Sequence, residues 1–172
     1  YLFSKSIFTL YLIICLSTVY ADRKIEQDIQ EPINQLHEAL VNIMVISEST
    51  SFDDRYKFLE PIITKNFNMP LISKVVLSRY WKAIDEKLKI EFIDLFKRLT
   101  ISTYVSRFNS YNNQAFKNIS TEQLKENRYL VKTEFVKSIE KPISFHYIVQ
   151  KNNDNWRIIS VIANGINDLS LK

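Results

Sequence analysis

Residues 67–111, FNMPLISKVVLSRYWKAIDEKLKIEFIDLFKRLTISTYVSRFNSY, decide the reading of this chain. From Asp85 onward Leu88, Phe92, Leu95, Phe96, Leu99, Thr103 and Tyr104 recur at helical steps and share one face. Lys87, Lys89, Glu91, Asp94, Lys97 and Arg98 fall largely on the other. Large aromatics among leucines make either an ordinary core stripe or the wall of an apolar cavity, and the helix alone leaves both open. Just ahead, residues 71–81 form a short helix with Leu71, Ile72, Val75, Val76 and Tyr80 on one side. Ser73, Lys74, Ser78 and Arg79 lie nearer solvent.

Further toward the N-terminus the same helical period continues. Ile25, Ile29, Ile33, Leu36, Leu40, Ile43, Met44 and Ser47 trace a first helix, in which Pro32 suits a helix start. Ser51-Phe52-Asp53-Asp54 reads as a capping box opening a second helix, which Pro61 is expected to bend or divide. Toward the C-terminus the period switches to alternation. Residues 115–120 and 128–138 are strands; Ile143, Phe145, Tyr147 and Val149 alternate with Ser144, His146, Ile148 and Gln150 in a third. Lys151–Asn155 is an Asn- and Asp-rich hairpin turn, residues 156–163 a last strand, and Gly165 ends it. Helices first and strands second predict an α+β fold: a helical layer on an antiparallel meander of about four strands, with an apolar cavity between them.

The 172-residue chain is long enough for one domain with its own core. Residues 1–21 read as a secretory signal, with Lys5 as the positive flank, Ile7–Leu16 as the apolar run and Val19-Tyr20-Ala21 as the cleavage site. The domain is then 22–172, and Cys15, the one cysteine, leaves with the signal. Removal of Lys5 leaves 22 basic against 19 acidic residues, a net charge of +3, with no run of like charge and no footprint for nucleic acid. That mild balance is compatible with transient contact at an anionic membrane surface.

Catalytic chemistry finds little support. The single glycine, Gly165, rules out phosphate-cradling glycine loops and a G-x-S-x-G nucleophile elbow. His37 and His146 are the only histidines and read as surface or partly buried side chains, so no metal site and no cofactor is expected. Asp53 with Asp54, and Asp85 with Glu86, open helices, where negative charge favours the macrodipole. Asn118-Ile119-Ser120 is a glycosylation sequon. No catalytic residue is assigned, and apolar surface is what remains.

The stretch ending in Phe67-Asn68, then Leu77-Ser78-Arg79-Tyr80-Trp81, then Phe92, Phe96, Leu99, Tyr104 and Tyr111, resembles the signature region of the MlaC, or toluene-tolerance, family. The closing WRIISVIANGINDLSLK resembles that family's end motif, and Gly165-Ile166-Asn167-Asp168-Leu169-Ser170 is closest to the hopanoid-associated HpnM branch. Three positions depart from the pattern: Asn68 stands for the usual Asp, Ser78 for the usual Gly and Ser160 for the usual Asp. Family members continue with a further helix where this sequence stops, which raises the expectation of a truncated copy.

The resemblance implies a periplasmic carrier of phospholipid or a related lipid in an ABC-type system. Its partners would be inner-membrane substrate-binding and outer-membrane components, and it would serve the lipid asymmetry of the outer membrane. A methylene in water costs about 0.8 kcal/mol, so a diacyl lipid with roughly thirty of them needs a protein around its tails to cross an aqueous gap. From the apolar helix face and strand alternation, the tail pocket is expected among Ile72, Val75, Phe92, Phe96, Leu99, Tyr104, Val131, Phe135, Phe145, Tyr147 and Val161. Lys74, Arg79 and Lys82 are candidates for headgroup contact near its mouth, against a plain solvated helix face. Two rival readings stand beside the carrier. One is a small-molecule enzyme on a nuclear-transport-factor-like cone, which needs Glu134 or His146 turned into a pocket although alternation turns both away. The other is a closed-core adaptor.

Overall fold

Capping chemistry sets where the helices begin in the computed structural model, which describes residues 2–167. The Ser51 hydroxyl accepts from the Asp54 N–H at 3.1 Å and starts α2 (Phe52–Asn66). The Asn68 amide oxygen accepts from Leu71 N–H at 3.1 Å and starts α3 (Met69–Leu77). The Asp85 carboxylate accepts from Leu88 N–H at 2.8 Å and starts α4 (Glu86–Arg107). Each cap satisfies an N–H that the helix itself cannot. A 3-10 helix, Ser78–Lys82, links α3 to α4, and α1 runs through Leu2–Val45.

Pro32 does not start a helix, and Pro61 does not divide one. The first lies inside α1 and the second inside α2. The boundary expected after Ala21 falls within α1; the side chains of residues 2–22 lie outside the described ones, as do Tyr1 and the Asp168-Leu169-Ser170 part of the closing motif.

The strands are β1 (Ala115–Lys125), β2 (Arg128–Val136), β3 (Ile143–Asn152), β4 (Asn155–Ala163) and a two-residue β5 (Ile166–Asn167). They form an antiparallel meander in the order β1-β2-β3-β4-β5, so each strand pairs with its sequence neighbour. Asn127 and Asn153, both at positive φ, supply the tight turns of the first and third hairpins. β1 is longer than its alternation suggests because a bulge between Asn118 and Ser120 resets its register. The α+β expectation holds, with a minimal fifth strand added.

The core lies between one face of the sheet and the helices. Ile29, Ile33, Leu36, Leu40 and Ile43 of α1 are buried against the sheet, together with Leu59 and Ile63 of α2. From β2, β3 and β4, Val131, Tyr147, Val149, Ile158 and Val161 close the other side. One hydrogen bond ties the corner between α2 and α3 to the sheet: Asn68 N–H donates to Ile158 C=O at 2.9 Å, beside a parallel bridge of Phe67 to Ile158.

The helix faces of residues 67–111 are rotated from the expected ones. On α4 the buried set is Phe96, Thr100, Ile101, Tyr104 and Val105, continued by Phe108, while Leu88, Leu95 and Leu99 face solvent. On α3, Ser73 is buried and Val75 is exposed. α4 packs mainly on α2 and α3, and this leaves its outer leucines uncovered.

Candidate functional site

The C-terminal end of α4 reaches over the sheet near the β2–β3 hairpin. There Phe108 meets an aromatic cluster: its ring lies 5.6 Å from Phe135, 6.1 Å from Phe116 and 6.4 Å from Phe145. Tyr104 follows at 6.0 Å from Phe108, and Phe116 sits 4.7 Å from Phe135. Alternation puts Phe135 and Phe145 on the inner face of adjacent strands, and helical period stacks Tyr104 above Phe108.

Beside this cluster lies a cavity of about 220 Å³, walled by Met44, Tyr104, Phe108, Phe135, Ile143 and Phe145. Arg107, Ser110, Gln114 and Lys137 stand at its rim. Lys137 is ion-paired with Glu140 at 3.0 Å, so the rim carries Arg107 and a lysine already matched by an acid. An apolar interior with such a rim suits an amphiphile with a hydrocarbon tail and a polar or anionic head. The volume falls below the range of about 300–1,000 Å³ usual for small-molecule pockets.

His37 lies at the back of the cluster. Its ring stacks on Phe116 with centroids 3.8 Å apart and shares a 3.0 Å hydrogen bond with the Tyr147 hydroxyl. It is buried, contrary to the surface or partly buried place expected for it. Burial lowers its pKa from 6.5 to about 3, so the imidazole is neutral at pH 7.

Of the residues expected to line a tail pocket, Tyr104, Phe135 and Phe145 line this cavity. Ile72, Phe96, Val131, Tyr147 and Val161 are in the closed core, and Phe92 faces an outer groove with Leu77, Ile84, Leu88 and Leu95. Val75 and Leu99 are 63% and 45% exposed and so stand outside any interior wall. Met44, Phe108 and Ile143 were not on the expected list. Phe108 was within reach of sequence reasoning, because Phe96, Thr100, Tyr104 and Phe108 follow at four-residue steps. Arg107 and Lys137, rather than Lys74, Arg79 or Lys82, stand at the mouth.

Glu134 and His146 lie on the opposite face of the sheet from Phe135, Phe145 and Tyr147. There His146 adds to the field at Glu122, whose carboxyl is held below the usual range mainly by its hydrogen bond to Lys132. Among the described residues no cluster of three His, Cys, Asp or Glu side chains could hold a metal ion. A larger cleft of about 610 Å³ opens between α1, the end of α2 and the β3–β4 hairpin. Asp28, Glu31 and Asp154 face Lys65, Lys151 and Arg157 across it, a polar lining that offers an acyl chain little apolar wall.

A family model described as MlaC protein matches residues 34–172. No curated protein matches the chain. A solved structure of the phospholipid-binding protein from Ralstonia solanacearum, in complex with a phospholipid, aligns with a TM-score of 0.72 at 16% identity, covering 83% of this chain and 81% of that one. At that identity the likeness establishes the fold.

Proposed function

The chain belongs to the MlaC family, and from that premise we propose that it is a non-catalytic carrier of phospholipid or a related lipid. In this reading the signal is removed after Ala21 and the domain works in the periplasm. It exchanges cargo with inner-membrane and outer-membrane components of an ABC-type transport system. The Gly165-Ile166-Asn167 sequence and the residues after it favour a place in the hopanoid-associated branch.

The observation that carries the reading is the cavity under the end of α4: apolar walls from Tyr104, Phe108, Phe135, Ile143 and Phe145, with Arg107 and Lys137 at the rim. Carriage needs a surface that replaces water around methylenes and a cation near the phosphate, and both are present there. No proton needs to move and no bond needs to break. The solved phospholipid complex of the same fold supports the choice of ligand. The modest volume assigns work to the aromatic rings, which fill the site when no tail does and swing away when one enters.

Native mass spectrometry of the protein recovered from an envelope fraction tests this. A lipid adduct is expected, and Ile143→Trp, which fills the cavity from its wall, should lower the lipid-bound fraction several-fold. A bare protein mass, with no uptake from lipid vesicles, would overturn the carrier reading and favour a closed-core adaptor.

A further inference from the structure

A second surface lies at the other end of α4 from the cavity. Where α3 gives way to the 3-10 helix, Val75 and Tyr80 are 63% and 58% exposed, and Trp81 is half-buried beside them. The apolar surface continues through Ile84 onto α4 at Leu88, Phe92 and Leu95, which with Leu77 and the Lys87-paired Glu91 form a shallow open groove of about 320 Å³. Isolated exposed apolar residues need no explanation, but a contiguous run of them marks a contact surface.

The charges around this run choose its occupant. On α4, Lys87, Lys89 and Lys97 are each paired with an acid, Glu91, Glu86 and Asp94 respectively. At the tip, Lys74, Arg79 and Lys82 are exposed, and none has an ion pair among the described residues. The Arg79 guanidinium lies 4.9 Å over the Tyr80 ring and donates to its hydroxyl at 2.9 Å, which holds both side chains outward. Uncompensated cations flanking Tyr, Trp and Val are the composition of a surface that rests at a bilayer interface. The rings sit at headgroup depth and the cations meet anionic phosphates.

We propose that this tip, Lys74–Lys82 with the adjoining outer face of α4, docks the protein on an anionic lipid bilayer. The contact does not use the cavity, since the two lie at opposite ends of α4. The inference therefore stands whether or not the cavity carries lipid. Each basic residue at an anionic surface strengthens binding about fivefold, so the three together account for roughly a hundredfold.

The test is co-sedimentation of the envelope-purified protein with vesicles of phosphatidylglycerol and phosphatidylethanolamine, against vesicles of phosphatidylcholine alone. Binding should appear on the first, weaken with salt and be near background on the second. The triple variant Lys74→Glu/Arg79→Glu/Lys82→Glu should lose about a hundredfold or more, and Val75→Ser/Tyr80→Ser should weaken binding at high salt. Lys117→Glu/Lys125→Glu, on the exposed β1 edge, should bind as the parent does. Native mass spectrometry on the same variants reports lipid content separately, so a failed carrier reading and a failed docking reading look different. Equal binding to neutral vesicles, no binding to either, or full binding by the triple variant would overturn the proposal; in the second case the groove belongs to a protein partner.

Discussion

Replacing Ser78 by glycine should make this protein more stable. Ser78 closes α3 at φ 48°, ψ −120°, and its N–H reaches back to the carbonyls of Lys74 and Val75. That backbone conformation is close to the first central position of a type II′ turn, which glycine dominates because a Cβ crowds the flanking peptides. A non-glycine residue held there costs of order 1–3 kcal/mol. Glycine removes the strain and adds unfolded-state entropy that returns roughly 0.5–1 kcal/mol. Because the Ser78 side chain is exposed, little contact is lost. The net gain is about 0.5–2 kcal/mol, or a rise of roughly 2–6 °C in Tm for a domain of this size. Paired thermal and urea unfolding of the parent, Ser78→Gly and Ser78→Ala would measure it. Alanine keeps the Cβ and should give no gain. If Ser78→Gly unfolds at or below the parent midpoint, the strain argument is wrong.

Two further changes read other parts of the core. With the His37 pKa lowered by burial from 6.5 to about 3, the unfolded chain takes up a proton in that window that the folded chain refuses. Stability is therefore complete above about pH 6.5 and falls by about 1.4 kcal/mol per pH unit down to about pH 3. His37→Gln keeps a group able to meet Tyr147 without titrating, so its urea midpoint should fall less between pH 7 and pH 4; equal falls would show that His37 is not the acid-sensitive group. The Ser160 hydroxyl is buried without a hydrogen-bond partner among the described residues. Ser160→Ala should be neutral or stabilising by about 1 kcal/mol, and a loss of that size instead would reveal a bound partner.

The order of elements was legible because helical and alternating periods are physically distinct, and the caps Ser51 and Asp85 announce themselves by residue type. The phase of the helices was not. α4 carries large apolar residues on both faces, so its leucines could be read as the inner stripe although a buried Thr100, bonding back to the Phe96 carbonyl at 2.9 Å, belongs there instead. A polar residue that satisfies itself within the helix is silent in a hydrophobicity pattern. Ser73 and His37 are hidden for other reasons: the Ser73 hydroxyl is buried with no hydrogen-bond partner among the described residues, and the burial of His37 depends on Phe116 and Tyr147 arriving from distant strands. Of the three departures from the family pattern, Asn68 keeps the capping role an aspartate would fill, whereas Ser78 and Ser160 each leave a local cost.

The bridge at Phe67 and Asn68 has a mechanical consequence. It is one of several stitches between the layers, since Gln30 also bonds Thr121, Asn118 bonds Gln30 and Asn34, and His37 bonds Tyr147. Directional bonds hold a seam in one register, whereas ring contacts such as those of Phe108 with Phe116, Phe135 and Phe145 tolerate sliding. The seam beside the cavity is therefore the one with the most freedom to give.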